Sequence, residues 1–128
     1  MTLISPLYAG LLALLLVFLS YRVVQGRRLH KVSIGDGENK DIVKRMRVQA
    51  NCAEYAPIGI IILALAEIQG MPGWLVHVFG LMLLAGRCLH AYGLGSTPQI
   101  VPARQWGMYL TLGMICPVAL VNIGQALF

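Results

Sequence analysis

The sequence predicts an all-α protein, a four-helix bundle whose helices cross a membrane. Three observations carry that reading. Of the 128 residues, 58% are hydrophobic and 12% charged, and a soluble domain usually carries about twice that charged share. The mean hydropathy is +0.73. At about 20 residues per crossing, the apolar runs suffice for four spans and leave about 45 residues for connections and ends. That leaves no room for a separate water-soluble domain and excludes a soluble globular enzyme.

The first span is expected over residues 3–24, with no acid and one basic residue, Arg22, near enough to its end to snorkel. A secretory signal would need a basic start, a shorter apolar core and a small-x-small cleavage site, so a retained helix is expected. The second span, 42–68, has a polar first half (Lys44, Arg45, Arg47, Gln49, Asn51, Glu54) and an apolar second half. The third, 72–94, and the fourth, 102–128, each open on a proline, Pro72 and Pro102, which suits a helix's first turn. Pro57 and Pro117 fall inside spans and should bend them. A bend at Pro57 follows the polar cluster directly and could open a cavity there, although a purely structural bend is the simpler reading.

The net charge of +5 is unevenly placed, with seven of the ten basic residues lying between Arg27 and Arg47. The second connection and both ends carry none, and the third connection runs into Arg104. Basic connections stay cytoplasmic. The first and third connections are therefore expected inside and both termini outside. Trp74, Trp106, Tyr8 and Tyr21 lie near span ends, where aromatic belts form. Cys52, Cys88 and Cys116 are an odd set without a C-x-x-C pair, so they suggest small buried apolar residues and no metal site or disulfide. The basic run Lys44-Arg45-Met-Arg47 would suit nucleic acid in a soluble protein, but beside a bilayer it meets anionic head groups. The stretch from Gly35 to Asp41 lacks the ligand spacing of a calcium loop and reads as a polar turn.

Ionisable residues inside a membrane are expensive and default to function. Arg47, Asn51, Glu54 and Tyr55 stand at i, i+4, i+7 and i+8, on one helical face. Glu54 lies about 10 Å deeper than Arg47. A packing network with neighbouring helices would also explain them. Arg87 and His90 are neighbours on the third span, and Arg27 and Arg104 reach the same cytoplasmic side. Each alone is an adequate interfacial anchor, but many donors converging on one internal acid suit a small anion that also carries an ammonium. Glutathione has that charge pattern, as do other zwitterionic anions. Its thiol, with pKa about 8.5, needs about 2 kcal/mol of stabilisation to be half ionised at pH 7. One guanidinium about 4 Å away supplies about 4 kcal/mol before desolvation opposes it.

At these residues the chain resembles the MAPEG family, the membrane-associated proteins in eicosanoid and glutathione metabolism. Arg47-Val-Gln-Ala-Asn51-Cys-Ala-Glu54-Tyr55-Ala-Pro57 is similar to the family's R-x-x-x-N-x-x-E-x-x-P signature and especially close to its leukotriene-forming glutathione transferase branch. Supporting matches are Arg27-Arg28 ending the first span, Gly86-Arg87-Cys-Leu-His90, and Arg104-Gln-Trp-Gly107-Met. Gly35-Asp36-Gly37 resembles the loop of small bacterial members. The resemblance implies a homotrimer in a bacterial inner membrane with glutathione bound between subunits near the cytoplasmic side. It implies that Arg47, Gln49, Asn51, Glu54 and Tyr55 bind glutathione, with polar contacts from Arg27, Arg87 and His90, and that Arg104 stabilises the thiolate. The partner substrate would be a lipid-soluble electrophile or lipid hydroperoxide, with no metal involved.

Two features depart from that pattern. Leu94 stands where eicosanoid-making relatives carry a tyrosine, which leaves that contact missing or supplied by Tyr92. The third connection is a few residues longer than in the leukotriene-forming branch. Because the family also includes a non-catalytic lipid-binding protein, a membrane protein that binds lipid or glutathione without chemistry is the alternative. A small four-span exporter fits less well, since such exporters carry their acid in the first span, which here has none.

Overall fold

In the computed structural model, which describes residues 2–128, the chain folds into four helices: α1 Ser5–His30, α2 Lys40–Ile68, α3 Gly73–Gly95 and α4 Val101–Leu127. With 23 to 29 residues each, they are about 35 to 44 Å long. All four are long and apolar enough to cross a membrane. They alternate in direction. α1 packs on α2 and α3, α4 packs on α3 and α2, and α1 and α4 do not touch among the described residues.

Helix α1 continues past the expected end of the first span, carrying Arg27, Arg28 and His30 in its last turn. Nothing after Val24 breaks it, and cations are favourable at a helix C-terminus. It ends at Lys31 in the left-handed conformation (φ 56°). Asn39 then caps α2, its side chain accepting from the amides of Asp41 at 2.9 Å and Ile42 at 3.2 Å. At this basic end, Lys44 Nζ donates to the Ser96 carbonyl at 2.8 Å and to Thr97 Oγ1 at 3.1 Å. The first and third connections therefore lie together.

The opposite end is closed by α2. Helix α1 begins at Ile4 without a side-chain cap of its own. Instead Glu67, only 4% exposed, accepts the amides of Ile4 at 2.5 Å and Ser5 at 2.8 Å. A carboxylate at a helix N-terminus satisfies orphan donors and suits the dipole. Gln69 Nε2 donates to Asn122 Oδ1 at 2.9 Å, tying α4 to the same end.

Leu12, Leu19, Val48, Leu63, Leu83 and Met114 belong to one apolar core running along the bundle. Around α3 and α4 the backbones themselves meet. A Cβ at Gly107 would lie 2.5 Å from the His90 amide nitrogen and 2.7 Å from the Gly86 carbonyl oxygen. Small residues allow this approach in membranes, where dispersion and close contact drive association.

Two expectations need correction. Tyr8 is not a belt residue, because it is buried in a gap over Gly80 with its hydroxyl 2.8 Å from His77 Nδ1. A phenol one turn inside α1 finds a polar partner on α3 and no longer needs the interface. Of the cysteines only Cys52 is buried, while Cys88 and Cys116 are exposed on the chain's surface. An apolar residue in a membrane span can face lipid as readily as core, and hydropathy cannot separate the two. Trp74 and Trp106 are exposed near helix ends, as a belt requires, whereas Tyr21, though exposed, lies nine residues inside α1 because that helix runs on to His30. Pro57 lines an apolar groove of about 240 Å³ between α1 and α2, beside Leu16 and Cys52.

Gly107→Ala is expected to destabilise the protein by about 1 to 3 kcal/mol, the range for forcing a methyl group into a packed site. Gly10→Ala, where a Cβ meets nothing within 4 Å, should be neutral or stabilising. Thermal denaturation in detergent separates the two, and equal midpoints would contradict the tight α3–α4 crossing.

Candidate functional site

Arg87 is the centre of the polar interior. It projects from α3 and is 1% exposed. Its Nε donates to Thr111 Oγ1 on α4 at 2.9 Å. Nη1 donates to the side-chain oxygen of Asn51 on α2 and, at 3.4 Å, to the Asn51 carbonyl. Nη2 points at Met108 Sδ, 3.2 Å away, and the guanidinium lies 5.2 Å from the centre of the Tyr55 ring. The Thr111 hydroxyl in turn donates to the Gly107 carbonyl at 2.9 Å. Among the described residues no carboxylate pairs with Arg87. The cation is hydrogen-bonded but not neutralised.

This arrangement fixes Asn51. Arginine has donors only, so the atom facing it must be the amide oxygen. The Asn51 NH₂ group is then turned away from Arg87 and is free to donate to an acceptor on its other side. Arg87 thus orients Asn51 and backs the Tyr55 ring instead of standing open as an interfacial anchor.

On the same helix Arg47 and Glu54 form a pair, Nη1 to Oε1 3.6 Å, with side chains 57% and 52% exposed. They neutralise each other along α2 and contact no neighbouring helix through that pair, so the packing network considered from spacing is not the one formed. Such an exposed pair adds little stability. Arg47 also lines a groove of about 400 Å³ between α1 and α2, together with Arg27, Gln49 and Met46. Arg27 anchors that rim, with Nε donating to the Gly35 carbonyl at 3.1 Å.

The structure therefore brings together Asn51, Tyr55 and Arg87 in the interior, Arg47 with Glu54 on the α2 surface, and Arg27, Arg47 and Gln49 around one groove. It does not bring Arg104 to them within one chain. Arg104 is exposed in the first turn of α4, its Nη1 donating to Gln99 Oε1 at 3.1 Å. His90 is buried at the α3–α4 crossing against Gly107. Sequence reasoning missed Thr111 and Met108. Their only signal was a polar residue one turn after Gly107 within the apolar middle of α4.

The family model of the MAPEG family matches residues 5–124. Two curated relatives are similar to the chain along nearly its full length. The inner membrane protein YecN of Escherichia coli strain K12 is 37% identical over 120 residues, which cover 94% of this chain and 90% of the relative. The YecN protein of an O6:H1 strain of the same species matches to the same extent.

Asn51→Leu should remove the main acceptor from a buried cation and cost about 1.5 to 3 kcal/mol. Arg47→Gln, at an exposed pair, should leave the melting midpoint nearly unchanged. The pair of variants compared by denaturation in detergent tests the division of this cluster into an interior half and a surface half; similar losses from both would refute it.

Proposed function

The chain belongs to the MAPEG family, and from that membership we propose that it is an integral inner-membrane protein that uses glutathione to modify a lipid-soluble electrophile or reduce a lipid hydroperoxide. The observation carrying this reading is a buried guanidinium without a counter-ion. Arg87 lies directly behind Asn51 and Tyr55, and in a medium of low dielectric its uncompensated charge favours an anion on the far side of them.

The residues present fit such a ligand. Arg47 supplies a planar fork for a carboxylate, and Glu54 beside it supplies a carboxylate for an α-ammonium. The NH₂ group of Asn51 donates to a further oxygen. Arg27 and Gln49 extend the polar lining along the groove between α1 and α2, and His90, buried in α3 one turn after Arg87, is proposed as a further polar contact on the strength of the family resemblance. Bound there, glutathione would supply a thiol whose ionised form is the nucleophile. Arg104 is the residue proposed to hold that charge, a role taken from the family resemblance.

A homotrimer with sites between subunits explains why Arg47 and Glu54 are half exposed on a helix that crosses the bilayer, since charged groups facing lipid are costly. In that assembly Arg104 of one subunit is proposed to approach the α2 face of another, a placement taken from the family resemblance. The basic end, with the first and third connections, is proposed to face the cytoplasm. A second reading, binding without chemistry, rests on the contact between Arg104 and Gln99, which holds the guanidinium on its own connection.

Calorimetry of the detergent-purified protein with millimolar glutathione should detect binding, and Arg47→Ala should weaken it at least about tenfold, the range for losing a charge-assisted hydrogen bond. No heat in the wild type would refute the proposal. With glutathione bound, a thiolate absorption band should appear in the ultraviolet and vanish in Arg104→Ala while binding persists. A band that survives removes Arg104 from the chemistry, and binding with no band at any pH near neutral selects the second reading.

A further inference from the structure

The basic run expected to meet head groups is engaged within the chain, and its first two members share a pocket with a third cation. Lys44 Nζ is held by the Ser96 carbonyl and Thr97 Oγ1. Arg45 donates through Nε to Asp41 Oδ2 at 3.1 Å and through Nη1 to the Arg22 carbonyl at 2.9 Å. Arg47 faces Glu54 instead. The side chain of Arg22, expected to snorkel along α1, reaches across to the end of α3, where its Nη1 lies 3.8 Å from the place a Cβ on Gly95 would take. Among the described residues that guanidinium makes no hydrogen bond and no ion pair.

Leu19 and Val48, both buried, form the apolar side of a pocket of about 20 Å³ whose other walls are Arg22, Asp41, Lys44, Arg45 and the bare backbone of Gly95. It lies where α1, α2 and α3 meet, inside the basic end of the bundle. Three cations therefore face one carboxylate, and that carboxylate already accepts from His30 at 3.0 Å as well as from Arg45. The pocket keeps a surplus of two positive charges. Like charges held this close oppose the packing of α1 on α2. Water would meet the Arg22 donors but leave the surplus in place. The volume decides what can offset it: a single water needs about 10 to 15 Å³ of such space, so the pocket admits one body little larger than a water molecule and excludes a tetrahedral oxyanion or a lipid phosphate.

We propose that this pocket binds one small monovalent anion, a halide such as chloride, on the Arg22 guanidinium with Lys44 and Arg45 around it. Arg22 on α1 supplies donors for charge-assisted hydrogen bonds, Lys44 and Arg45 on α2 supply the field, and the missing side chain of Gly95 on α3 leaves the room. Occupied, the site bridges three helices at the end where their charges otherwise repel. It shares no residue with the α1–α2 groove proposed for glutathione and does not rest on that reading.

Thermal denaturation of the full-length protein in detergent, without glutathione, tests it, with sodium gluconate replaced stepwise by sodium chloride at constant ionic strength. The midpoint should rise with chloride and saturate, as for a ligand bound by the folded state alone. Bromide should substitute for chloride, whereas sulfate at the same ionic strength should not. Arg22→Gln should weaken the apparent chloride affinity at least about tenfold, the range for losing a charge-assisted hydrogen bond. Gly95→Ala keeps every charge, and its Cβ meets Arg22 and Val48 at ordinary contact distance. That variant should fold as the wild type does yet lose the chloride response, because its methyl group takes up the pocket; it decides the matter alone if Arg22→Gln fails to fold. Lys40→Gln, which removes an exposed cation of the same end outside the pocket, should retain the response. A midpoint indifferent to chloride would leave the pocket to water and overturn the proposal. An equal rise in sulfate, or a response lost equally in Lys40→Gln, would reduce the effect to a diffuse surface field, and a response that survives in Gly95→Ala or in Arg22→Gln would put the anion elsewhere; each of these overturns it too.

Discussion

The fold turns on a single buried cation. Arg87 sits in a helix that crosses the bilayer, and removing a guanidinium from water costs several kcal/mol unless its donors are met. Here they are met by neutral groups from two other helices, Asn51 and the Tyr55 ring on α2 and Thr111 and Met108 on α4. The arrangement requires α3 and α4 to touch at backbone distance, which Gly86 and Gly107 allow. It also requires α2 to present Asn51 toward them. Three helices are therefore registered against one another by the need to satisfy one side chain, and the leftover positive charge makes the interior attractive to an anion.

The two ends of the bundle are built on different principles. At the basic end the chain satisfies cations with carbonyls and acids in pairs and triplets, as where Asp41 accepts from both His30 and Arg45. At the opposite end the scarce polar groups act on backbone. Glu67 caps a helix 62 residues away in sequence, and Asn122 donates to the Ile62 carbonyl at 2.8 Å, near the apolar half of α2. A bundle in lipid gains little from apolar contact between its helices, so these polar clasps at both ends are what hold α1 and α4 in place on α2 without touching each other.

The spans, their order and the gathering of charge at one end were readable from hydropathy and from the placement of ten basic residues. So was the polar stripe of α2, because Arg47, Asn51, Glu54 and Tyr55 repeat with the helical period. What periodicity cannot supply is the azimuth of that stripe relative to the neighbours. Asn51 and Tyr55 meet Arg87 while Glu54, between them in sequence, faces out, a division fixed by where α3 and α4 pack. The same limit hid Tyr8 and Cys88, since lipid and core are equally apolar. Thr111 and Glu67 were hidden for a related reason: each is defined by a partner far away in the chain.

The division of Arg47 and Glu54 from Arg87 bears directly on what the surface of α2 must meet. A pair that is half exposed near the basic end could remain hydrated if it lay at the head-group level. Glu54, however, follows Lys40, the first residue of α2, by a rise of about 21 Å, which carries it below the interface unless the helix projects far beyond the membrane. Lipid chains cannot serve as its solvent. Whatever covers that face must therefore be polar, and must tolerate a guanidinium and a carboxylate side by side with a second guanidinium behind them. Water alone satisfies the hydrogen bonds but not the excess of positive charge, whereas a ligand bearing more carboxylates than ammonium groups satisfies both. The charge imbalance, more than any single contact, is the physical basis of the proposal that an anionic zwitterion, and not a neutral lipid, occupies this position.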